Sequence, residues 1–310
     1  MLDVAAALIW KGEKFMICHR PMSDKNSRGG KWEFPGGKIE SGESAKEALV
    51  RECREELSVT LVPGEVFAEI EHDYGDIVIH LTIVNARIEE DEPHLNEHTE
   101  YAWISADELD SYEICDADRK AADRLRYVSS KIMFHGAPAE DDASVLRLPK
   151  EKAVYDLLDS VGVDFDRMDH MPLYTIEACD AIDGVLGTLI CKNLFLCSRT
   201  KTDFYLLLMP GRKHFNTSVF SHKIGTSRLS FAPSEYMSEY LDVTPGSATV
   251  MGLMNDREKR VKLYIDRDLL EEEYFACHPC INTATVVLKT SDLLEKVIPA
   301  LGHTFEAVDL

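Results

Sequence analysis

Hydrophobic and polar residues alternate with two different periods along the first 132 residues of the chain. Five segments have the period of two, or the short apolar runs, that are typical of β-strands. They are residues 5–10, 15–19, 66–70, 77–84 and 101–104. Two further segments, 44–57 and 117–132, place apolar residues three and four positions apart, as an amphipathic helix does. This mixture predicts a domain of the α/β or α+β class.

The sequence of the second half contains no repeat of the first half, and it predicts its own mixture of helices and strands. Helices are predicted at residues 150–161, where Gly162 can end the helix, and at 291–301. Strands are predicted at about residues 185–197, 204–209, 248–253, 262–265 and 283–288. Between the halves, residues 135–144 are rich in turn formers and acids and contain almost no core-forming side chains. We therefore predict two unlike domains, 1–133 and 148–310, joined by a linker at 134–147.

The amino-acid composition favours a soluble globular protein over a membrane protein or a general nucleic-acid-binding protein. The 310 residues are 45% hydrophobic and 29% charged, which is typical of soluble globular domains. No apolar run approaches the roughly 20 residues of a membrane span, and the first residues lack the basic start of a signal peptide. The eight cysteines lie in apolar contexts, which favours reduced thiols and a cytoplasmic location. The formal net charge of −21 argues against broad nucleic-acid binding, but it leaves room for a small basic pocket that takes one phosphate or one RNA end.

The densest chemical signal is a cluster of acids on the helix predicted at 44–57. Side chains three and four positions apart share a helix face, so we expect Glu52, Glu55 and Glu56 to converge beside Arg51. Neighbouring carboxylates repel each other unless a cation neutralises them. Oxygen ligands favour a hard divalent ion, which is Mg²⁺ when phosphates are the substrate. The competing interpretation is an ordinary solvated acidic face.

The spacing around this cluster resembles the Nudix box. Gly37 is followed six residues later by Glu43, then by Arg51-Glu52 and Glu55-Glu56, and only Ser58 departs, standing where the family has a second glycine. The resemblance implies an α/β/α sandwich with a mixed sheet, which cleaves a nucleoside diphosphate linked to another group. It implies Mg²⁺ as the cofactor, with Mn²⁺ as the alternative, and a bracing role for Glu43. The residues it implies for metal binding and catalysis are Gly37, Arg51, Glu52, Glu55 and Glu56.

Residues outside the box are candidates on looser grounds. Glu97 lies at the spacing at which related nucleotide-pool enzymes recruit a further metal ligand, although an ordinary exposed acid before a strand looks the same. Residues 31–38 resemble the mutator-type and cytidine-triphosphate-type Nudix enzymes, whose substrates are nucleoside triphosphates, and this places Lys38 beside Gly37 in the substrate site. Asp116 is the candidate for a base-reading side chain, and Asp118 is the alternative. A helix N-cap would also explain either acid.

Six segments of the second half, in family order, resemble the free-standing prolyl-tRNA editing proteins. They are residues 170–175, 191–196, 229–232, 243–249, 252–256 and 278–285. The resemblance implies a mixed β-sheet or barrel flanked by helices, with no cofactor. It also implies hydrolysis of mischarged tRNA(Pro), with Ala-tRNA(Pro) as the first substrate and Cys-tRNA(Pro) as the second.

Ester hydrolysis needs an oriented water, a stabilised oxyanion and a held substrate. Lys192 can hold a phosphate or ribose as a point charge, and Asn193 can hydrogen-bond the ester or its water. The family resemblance implies these roles; without it, a Lys at a strand end and an Asn in a turn would be the simpler interpretation. Gly246 would let the aminoacyl group approach the backbone, although Val250 stands where the family usually has a proline. His278 is a candidate for lining the pocket or orienting a water.

Cys277 and Cys280 have the CxxC spacing of redox proteins. We expect no thiol–disulfide activity, because no thioredoxin-like strand and helix surround the pair. Zinc binding is also disfavoured, because a closed zinc site requires about four ligands, and only two Cys and one His are close together here.

The leading hypothesis is a hydrolase with two sites, one for a nucleotide and one for the acceptor end of tRNA(Pro). The alternative belongs to a different class. In it only one half is catalytic, and the other half senses a nucleotide or binds tRNA without cleaving it.

Overall fold

A computed structural model describes residues 1–22, 28–89, 91–129, 133–138, 147–172, 182–183, 185–188 and 190–310. The chain forms two compact units, one centred on Met1–Ser129 and the other on Pro149–Leu310. Residues 139–146 of the predicted linker and residues 173–175 of the first editing-type segment lie outside the described residues. Residues 133–135 form a strand that pairs within the second unit, so residues 134 and 135 are not linker. The domain boundaries otherwise stay a prediction.

In its described residues, the first unit is built on a mixed sheet of seven strands. These are β1 (Leu2–Lys11), β2 (Lys14–His19), β3 (Trp32–Glu33), β4 (Gly36–Lys38), β5 (Leu61–Asp73), β6 (Val78–Ile88) and β7 (Glu100–Ile104). β1 runs parallel to β6 and antiparallel to β4, and β5 pairs antiparallel with β6. β2 pairs antiparallel with β3 and β7, and its predicted turn to β1 is confirmed, with Gly12 at φ 63°.

The two predicted helices of this unit are confirmed as α1 (Ala45–Leu57) and α2 (Asp116–Ser129). A 3-10 helix at Ala106–Ser111 precedes α2. α1 begins at Ser44, whose hydroxyl accepts from the Glu47 N–H while the Glu47 carboxylate accepts from the Ser44 N–H. The apolar face of α1 packs in one core cluster with side chains of β1 and β6. This packing fixes which face of α1 carries the acids.

The end of α1 accommodates the serine that departs from the family pattern. Ser58 adopts the left-handed conformation, with φ 55° and ψ 32°, and its N–H donates to the Arg54 carbonyl. The Asn96 amide donates to the Ser58 hydroxyl at 2.9 Å and to the Glu55 carbonyl at 2.6 Å. The segment after β6 therefore caps the helix end from outside.

The second unit contains two open sheets in the described part of the chain. Their strands are β8 (Met133–His135), β9 (Phe165–Asp169), β10 (Lys192–Ser198), β11 (Phe204–Met209), β12 (Leu229–Phe231), β13 (Val261–Asp266), β14 (Tyr274–Cys277), β15 (Ala284–Lys289) and β16 (Phe305–Val308). The five-stranded sheet has the order β12-β10-β11-β13-β16 and is mixed, whereas the four-stranded sheet β14-β15-β9-β8 is antiparallel. The mixed-sheet form of the prediction is therefore confirmed, and the barrel form is not.

Helices accompany these sheets. They are α3 (Pro149–Ser160), α4 (Thr217–Lys223), α5 (Ser234–Leu241), α6 (Arg267–Leu270) and a last helical stretch formed by Thr290–Asp292, the π-helical Leu293–Val297 and Ile298–Ala300. One hydrophobic cluster combines side chains from both sheets with Val154 and Leu158 of α3 and Leu241 of α5. Within the described residues, no helix combines the length and apolar character that a membrane crossing requires.

Two predicted strands of this unit need correction. The strand predicted at 248–253 is wrong, because Val250–Asn255 is a 3-10 helix that begins with the Thr249 hydroxyl accepting from the Met251 N–H. The strand predicted at 185–197 begins only at Lys192, and the described residues 182–183 and 185–186 are helical. Continuous apolar runs do not distinguish a strand from a buried helical turn, which explains both errors.

Candidate active sites

β4 brings two glycines against the sheet and α1. Gly36 has φ 148°, and a Cβ there would lie 2.2 Å from the Ala5 carbonyl oxygen. A Cβ on Gly37 would lie 2.4 Å from the carboxyl carbon of Glu52. Close approach therefore requires glycine at both positions. The Gly37 backbone lies directly beside the Glu52 carboxylate.

Arg51 connects the charged residues of the box. Its Nε and Nη2 donate to the two carboxylate oxygens of Glu43 at 2.8 and 2.9 Å. Its Nη1 lies 2.9 Å from Glu52 Oε1 and 3.6 Å from Glu55 Oε2. Hydrogen bonding to the guanidinium lowers the pKa of Glu43 to about 2. Glu43 thus braces Arg51, and Arg51 holds the side chain of Glu52 in place.

Glu56 is the buried acid of the box. Its side chain accepts from a backbone N–H of β4 at 3.3 Å, and the residue is only 8% exposed. Burial raises the pKa of Glu56 to about 7; His98 lowers it, and the charges of Glu33, Glu52 and Glu97 raise it further. Burial is the main cause of this rise, but the neighbouring carboxylates that add to it would also attract a cation, and their oxygens are possible ligands. The donor chemistry and the charge therefore fit a hard divalent ion.

The predicted metal ligands do not form one closed set. Glu52 is paired with Arg51, the Glu55 side chain is 58% exposed, and Glu97 is exposed. Across the residues that the structure describes, no three His, Cys, Asp or Glu side chains come together as a group that could hold a metal ion. The predicted convergence is therefore partial: Glu52 and Glu55 share Arg51, whereas Glu56 lies on the buried side. Binding one ion with three of these carboxylates requires side-chain rotation.

A cavity of about 260 Å³ lies beside this box. Its walls combine apolar side chains of β1 and β6 with the backbone of β4, and they include Gly37 and Lys38. Besides Lys38, four acidic or basic residues among the described residues line it, Arg20, Arg28, Glu33 and Asp118. The cavity therefore offers a small apolar space with charged groups of both signs.

The structure separates the two candidate base-reading acids. Asp118 lines the cavity, is buried, and accepts from the Phe34 N–H at 3.1 Å; burial raises its pKa to about 7. Asp116 instead forms an exposed ion pair with Lys31 at 3.2 Å and is not part of the cavity wall. Side chains two positions apart on a helix lie on nearly opposite faces, so only one of the two aspartates can face the interior. The geometry favours Asp118 over the predicted Asp116.

In the second unit, Lys192 and Asn193 open strand β10. Lys192 Nζ donates to the Lys213 carbonyl at 2.8 Å. Asn193 Oδ1 accepts from the Val250 N–H at 2.9 Å, and its Nδ2 lies 3.3 Å from the Cys191 carbonyl. Asn193 thereby fixes the start of the 3-10 helix that follows residues 243–249. The Lys192 ammonium keeps donors beyond the one that the carbonyl uses.

His278 belongs to a buried histidine pair. Its Nδ1 donates to the Ala284 carbonyl at 2.9 Å, and its ring lies 5.8 Å from the His170 ring. His170 Nδ1 donates to the Met171 carbonyl at 2.8 Å, so its Nε2 accepts from the Thr285 hydroxyl at 2.9 Å. Burial lowers the pKa of His170 to about 3, which keeps that ring neutral.

Two further predicted features of this unit have clear positions. Gly246 has φ 101°, a conformation that favours glycine. Cys277 and Cys280 are both fully buried, and burial raises the pKa of Cys277 to about 12. Reactive thiols are exposed and have lowered pKa values, so the environment of Cys277 disfavours redox chemistry.

Comparisons with known proteins agree with both halves of this description. A family model described as the NUDIX domain matches residues 5–124, and one described as the aminoacyl-tRNA editing domain matches residues 170–296. The prolyl-tRNA editing protein ProX of Acetoanaerobium sticklandii is 35% identical over 160 residues, which are 52% of this chain and 97% of that protein. The CTP pyrophosphohydrolase of Escherichia coli is 35% identical over 118 residues, which are 38% of this chain and 86% of that protein. The chain belongs to both families.

The chain is thus a hydrolase with a Nudix half and an editing half. Among solved structures, the solution structure of the E. coli ORF135 protein is 33% identical and covers 39% of this chain and 86% of its own, with a TM-score of 0.35. The 8-oxo-dGTP diphosphatase of E. coli is 30% identical over 125 residues, 40% of this chain and 96% of that protein. Membership in the Nudix family implies a divalent metal for that half.

Sequence reasoning missed several residues that the structure places at these sites. Arg20, Arg28 and Glu33 of the cavity carry no local pattern that marks them, because three separate segments bring them together. Asn282 belongs to the editing-type segment 278–285, where no pattern marks it as a site residue, yet it lies next to Gly246. Its burial beside Gly246 could not be foreseen from spacing alone.

Proposed function

We propose that the Nudix half is a Mg²⁺-dependent pyrophosphohydrolase of nucleoside triphosphates. We also propose that the editing half deacylates mischarged tRNA(Pro), with Ala-tRNA(Pro) ahead of Cys-tRNA(Pro). The single observation that carries the first proposal is the buried Glu56 at the edge of β4, surrounded by acids and adjacent to the cavity. The one that carries the second is the Lys192–Asn193 pair, which opens β10 and fixes the segment that follows Gly246.

In the Nudix half, Glu52 and Glu56 would hold the metal together with the Gly37 carbonyl, and Glu55 and Glu97 would complete the set. When bound, Mg²⁺ (or Mn²⁺ in its place) would neutralise charge on the phosphate oxygens and activate water. Arg51 keeps the Glu52 carboxylate turned toward β4 through its charge-assisted bond.

The cavity supports a nucleobase as the group bound beside the phosphates. Its volume of about 260 Å³ is below the roughly 300 Å³ at which pockets for drug-sized ligands begin, so it suits a base better than a whole nucleotide. Asp118 would face that base. With a pKa of about 7, its carboxyl is partly protonated at neutral pH and can donate as well as accept a hydrogen bond.

The test of the Nudix half is Glu56→Gln. We expect it to lower Mg²⁺-dependent release of pyrophosphate from nucleoside triphosphates by about 10²-fold or more, because a neutral amide cannot replace a carboxylate ligand. Glu47→Gln, on the same helix, is the matched control, since glutamine also completes a capping box. A panel of pyrimidine and oxidised purine triphosphates identifies the substrate. Nucleotide binding without turnover by the unaltered chain would make this half a sensor instead.

In the editing half, Lys192 would hold the terminal phosphate or ribose of the tRNA, and Asn193 would hydrogen-bond the ester or its attacking water. Gly246 would allow the aminoacyl group to lie against the backbone. His278, fixed by its bond to the Ala284 carbonyl, would line the same pocket.

The test of the editing half compares Ala-, Cys- and Pro-tRNA(Pro) as substrates of the unaltered chain and of Lys192→Ala. We expect hydrolysis of Ala-tRNA(Pro) to exceed that of the other two, and the substitution to lower it by about 10²-fold. Lys262→Ala is the control, because Lys262 is an exposed lysine on β13 of the same sheet. Equal hydrolysis by the unaltered chain and Lys192→Ala would remove Lys192 from the site.

A further inference from the structure

Asn282 is a buried amide with no hydrogen-bond partner among the described residues. The residue is 1% exposed, and among the described residues neither its Oδ1 nor its Nδ2 has a hydrogen-bond partner. Polar groups buried in this way are rare, because each one loses its hydration without compensation. If this side chain only filled space in the core, an apolar residue of similar size would stabilise the fold more. The amide therefore points to a ligand.

The turn that carries Asn282 is held firmly in place. Residues 278–283 link β14 to β15 and are buried throughout, and Cys280 within them adopts a left-handed φ of 61°. Backbone strain of this kind persists where the surroundings fix it, and it is concentrated at functional sites. The bond from His278 to the Ala284 carbonyl also spans this turn. Asn282 is thus a pre-positioned group on a rigid support.

The amide nitrogen of Asn282 lies close to Gly246. A Cβ built on Gly246 would lie 3.7 Å from Asn282 Nδ2, and no other described atom outside the glycine's chain neighbours comes within 4 Å of it. Gly246 has φ 101°, so a side chain there would be strained as well as intrusive. The unpartnered amide therefore lies directly beneath Gly246, an exposed residue, so a group that reaches the amide must approach it past this glycine.

We propose that Asn282 binds the aminoacyl group of the substrate, a role that rests on the proposed editing function. An α-aminoacyl ester carries an ammonium donor and a carbonyl acceptor on adjacent carbons. A carboxamide carries an acceptor and a donor on one carbon, so it can engage both together. In this arrangement Oδ1 accepts from the α-ammonium, and Nδ2 donates to the ester carbonyl oxygen. Asn282 then selects for an esterified α-amino acid.

The test combines Asn282→Leu with two esters of the same tRNA(Pro), one alanyl and one propionyl. The propionyl ester lacks only the α-ammonium. Each enzymatic rate is divided by the uncatalysed rate of its ester, because the ammonium itself makes the ester more labile. We expect Asn282→Leu to lower kcat/KM for the alanyl ester about 10- to 100-fold more than for the propionyl ester, the effect of losing one charged hydrogen bond.

Stability provides a second readout that separates binding from a structural role. If the amide serves the substrate, Asn282→Leu leaves the midpoint of thermal unfolding unchanged or raises it, since it removes an unpaired buried polar group. Asn282→Ala repeats the measurement if the leucine does not fit. Asn255→Ala is the control, because that amide already donates to the Leu241 carbonyl.

Three results overturn the inference. The first is full activity of the variant. The second is an equal loss on the two esters. In both cases the unaltered chain still deacylates Ala-tRNA(Pro), so the editing function stands while Asn282 is excluded. The third is an absence of hydrolysis by the unaltered chain, which removes the proposed function and this inference with it.

Discussion

Glu56, Asp118 and His170 share one property at the scale of single residues. Each is an ionisable side chain held away from water, and in each case burial is the leading cause that shifts the pKa toward the uncharged form. The two acids reach about 7 and the histidine about 3. Such shifts occur where a protein needs a defined protonation state, and also where packing simply excludes solvent.

His170 gives a pH-dependent stability whose sign can be worked out. Its pKa is about 3 in the folded chain and about 6.5 when unfolded, so between these values the unfolded state binds the extra proton. The stabilisation is present above pH 6.5 and is lost as pH falls toward 3, by about 1.4 kcal/mol per pH unit at most. Hydrogen exchange of peptides from β9 and β15 between pH 7.5 and 4.5 measures it.

His170→Gln is the comparison for that experiment, because glutamine has no proton to gain in this range. The difference in opening free energy between the two proteins should shrink as pH falls. A difference that stays constant from pH 7.5 to 4.5 would mean that His170 is not buried in its neutral form.

At the scale of elements, α1 depends on both of its ends. Ser44→Ala should lower the free energy of unfolding of the first unit by about 1 kcal/mol, since the capping hydroxyl is lost. All three tryptophans, Trp10, Trp32 and Trp103, lie in this unit, so fluorescence in urea follows it selectively. Ser41→Ala, which lies before the helix, serves as the control. Equal destabilisation by both variants would contradict the cap.

The C-terminal end of α1 gives a second prediction. Both Ser58→Gly and Ser58→Ala lose the hydroxyl that accepts from Asn96, but only alanine keeps a Cβ in the left-handed conformation. The glycine variant should therefore be more stable than the alanine variant by about 1 kcal/mol. The same fluorescence measurement decides it. Equal stabilities would show that the helix end relaxes at no cost.

The helices and strands also show which features of the fold could be predicted from the sequence. α1, with its long amphipathic pattern and its cap, was predicted to within a residue, because local propensity and packing agree there. The 3-10 helix at Val250–Asn255 was missed, because its start depends on Asn193, 57 positions away. The choice between Asp116 and Asp118 likewise depended on the rotation of α2 against the sheet. In these two cases, contacts between residues distant in sequence added to the ambiguity of the local pattern.

At the scale of the whole molecule, two units with separate cores carry separate chemistry. Glu56→Gln should lower nucleotide hydrolysis by about 10²-fold or more without changing tRNA deacylation, and Lys192→Ala should lower deacylation by about 10²-fold without changing nucleotide hydrolysis. The double variant should show the two losses combined without any further interaction. Parallel assays of the four proteins test this. Coupling between the two activities beyond about twofold would mean that the halves communicate.

The net charge of −21 predicts how tRNA binding responds to salt. Acids outnumber lysines and arginines by 55 to 34, which disfavours an extended basic surface, so binding should release the counterions of only one or two phosphates. The slope of log K against log salt should then have a magnitude of about 2 or less. Filter binding of tRNA(Pro) between 50 and 200 mM salt measures it. A slope of about 5 or more would reveal an extended basic surface.

The strand Gly36–Lys38 has a consequence for anyone who redesigns this enzyme. Its backbone is at once a wall of the cavity and the neighbour of Glu52 and Glu56. Reshaping the cavity through this strand would therefore shift the carboxylates too, and selectivity could not be tuned apart from turnover. Changes of substrate range are better made on another strand of the wall, such as at Ile79 and Leu81 of β6.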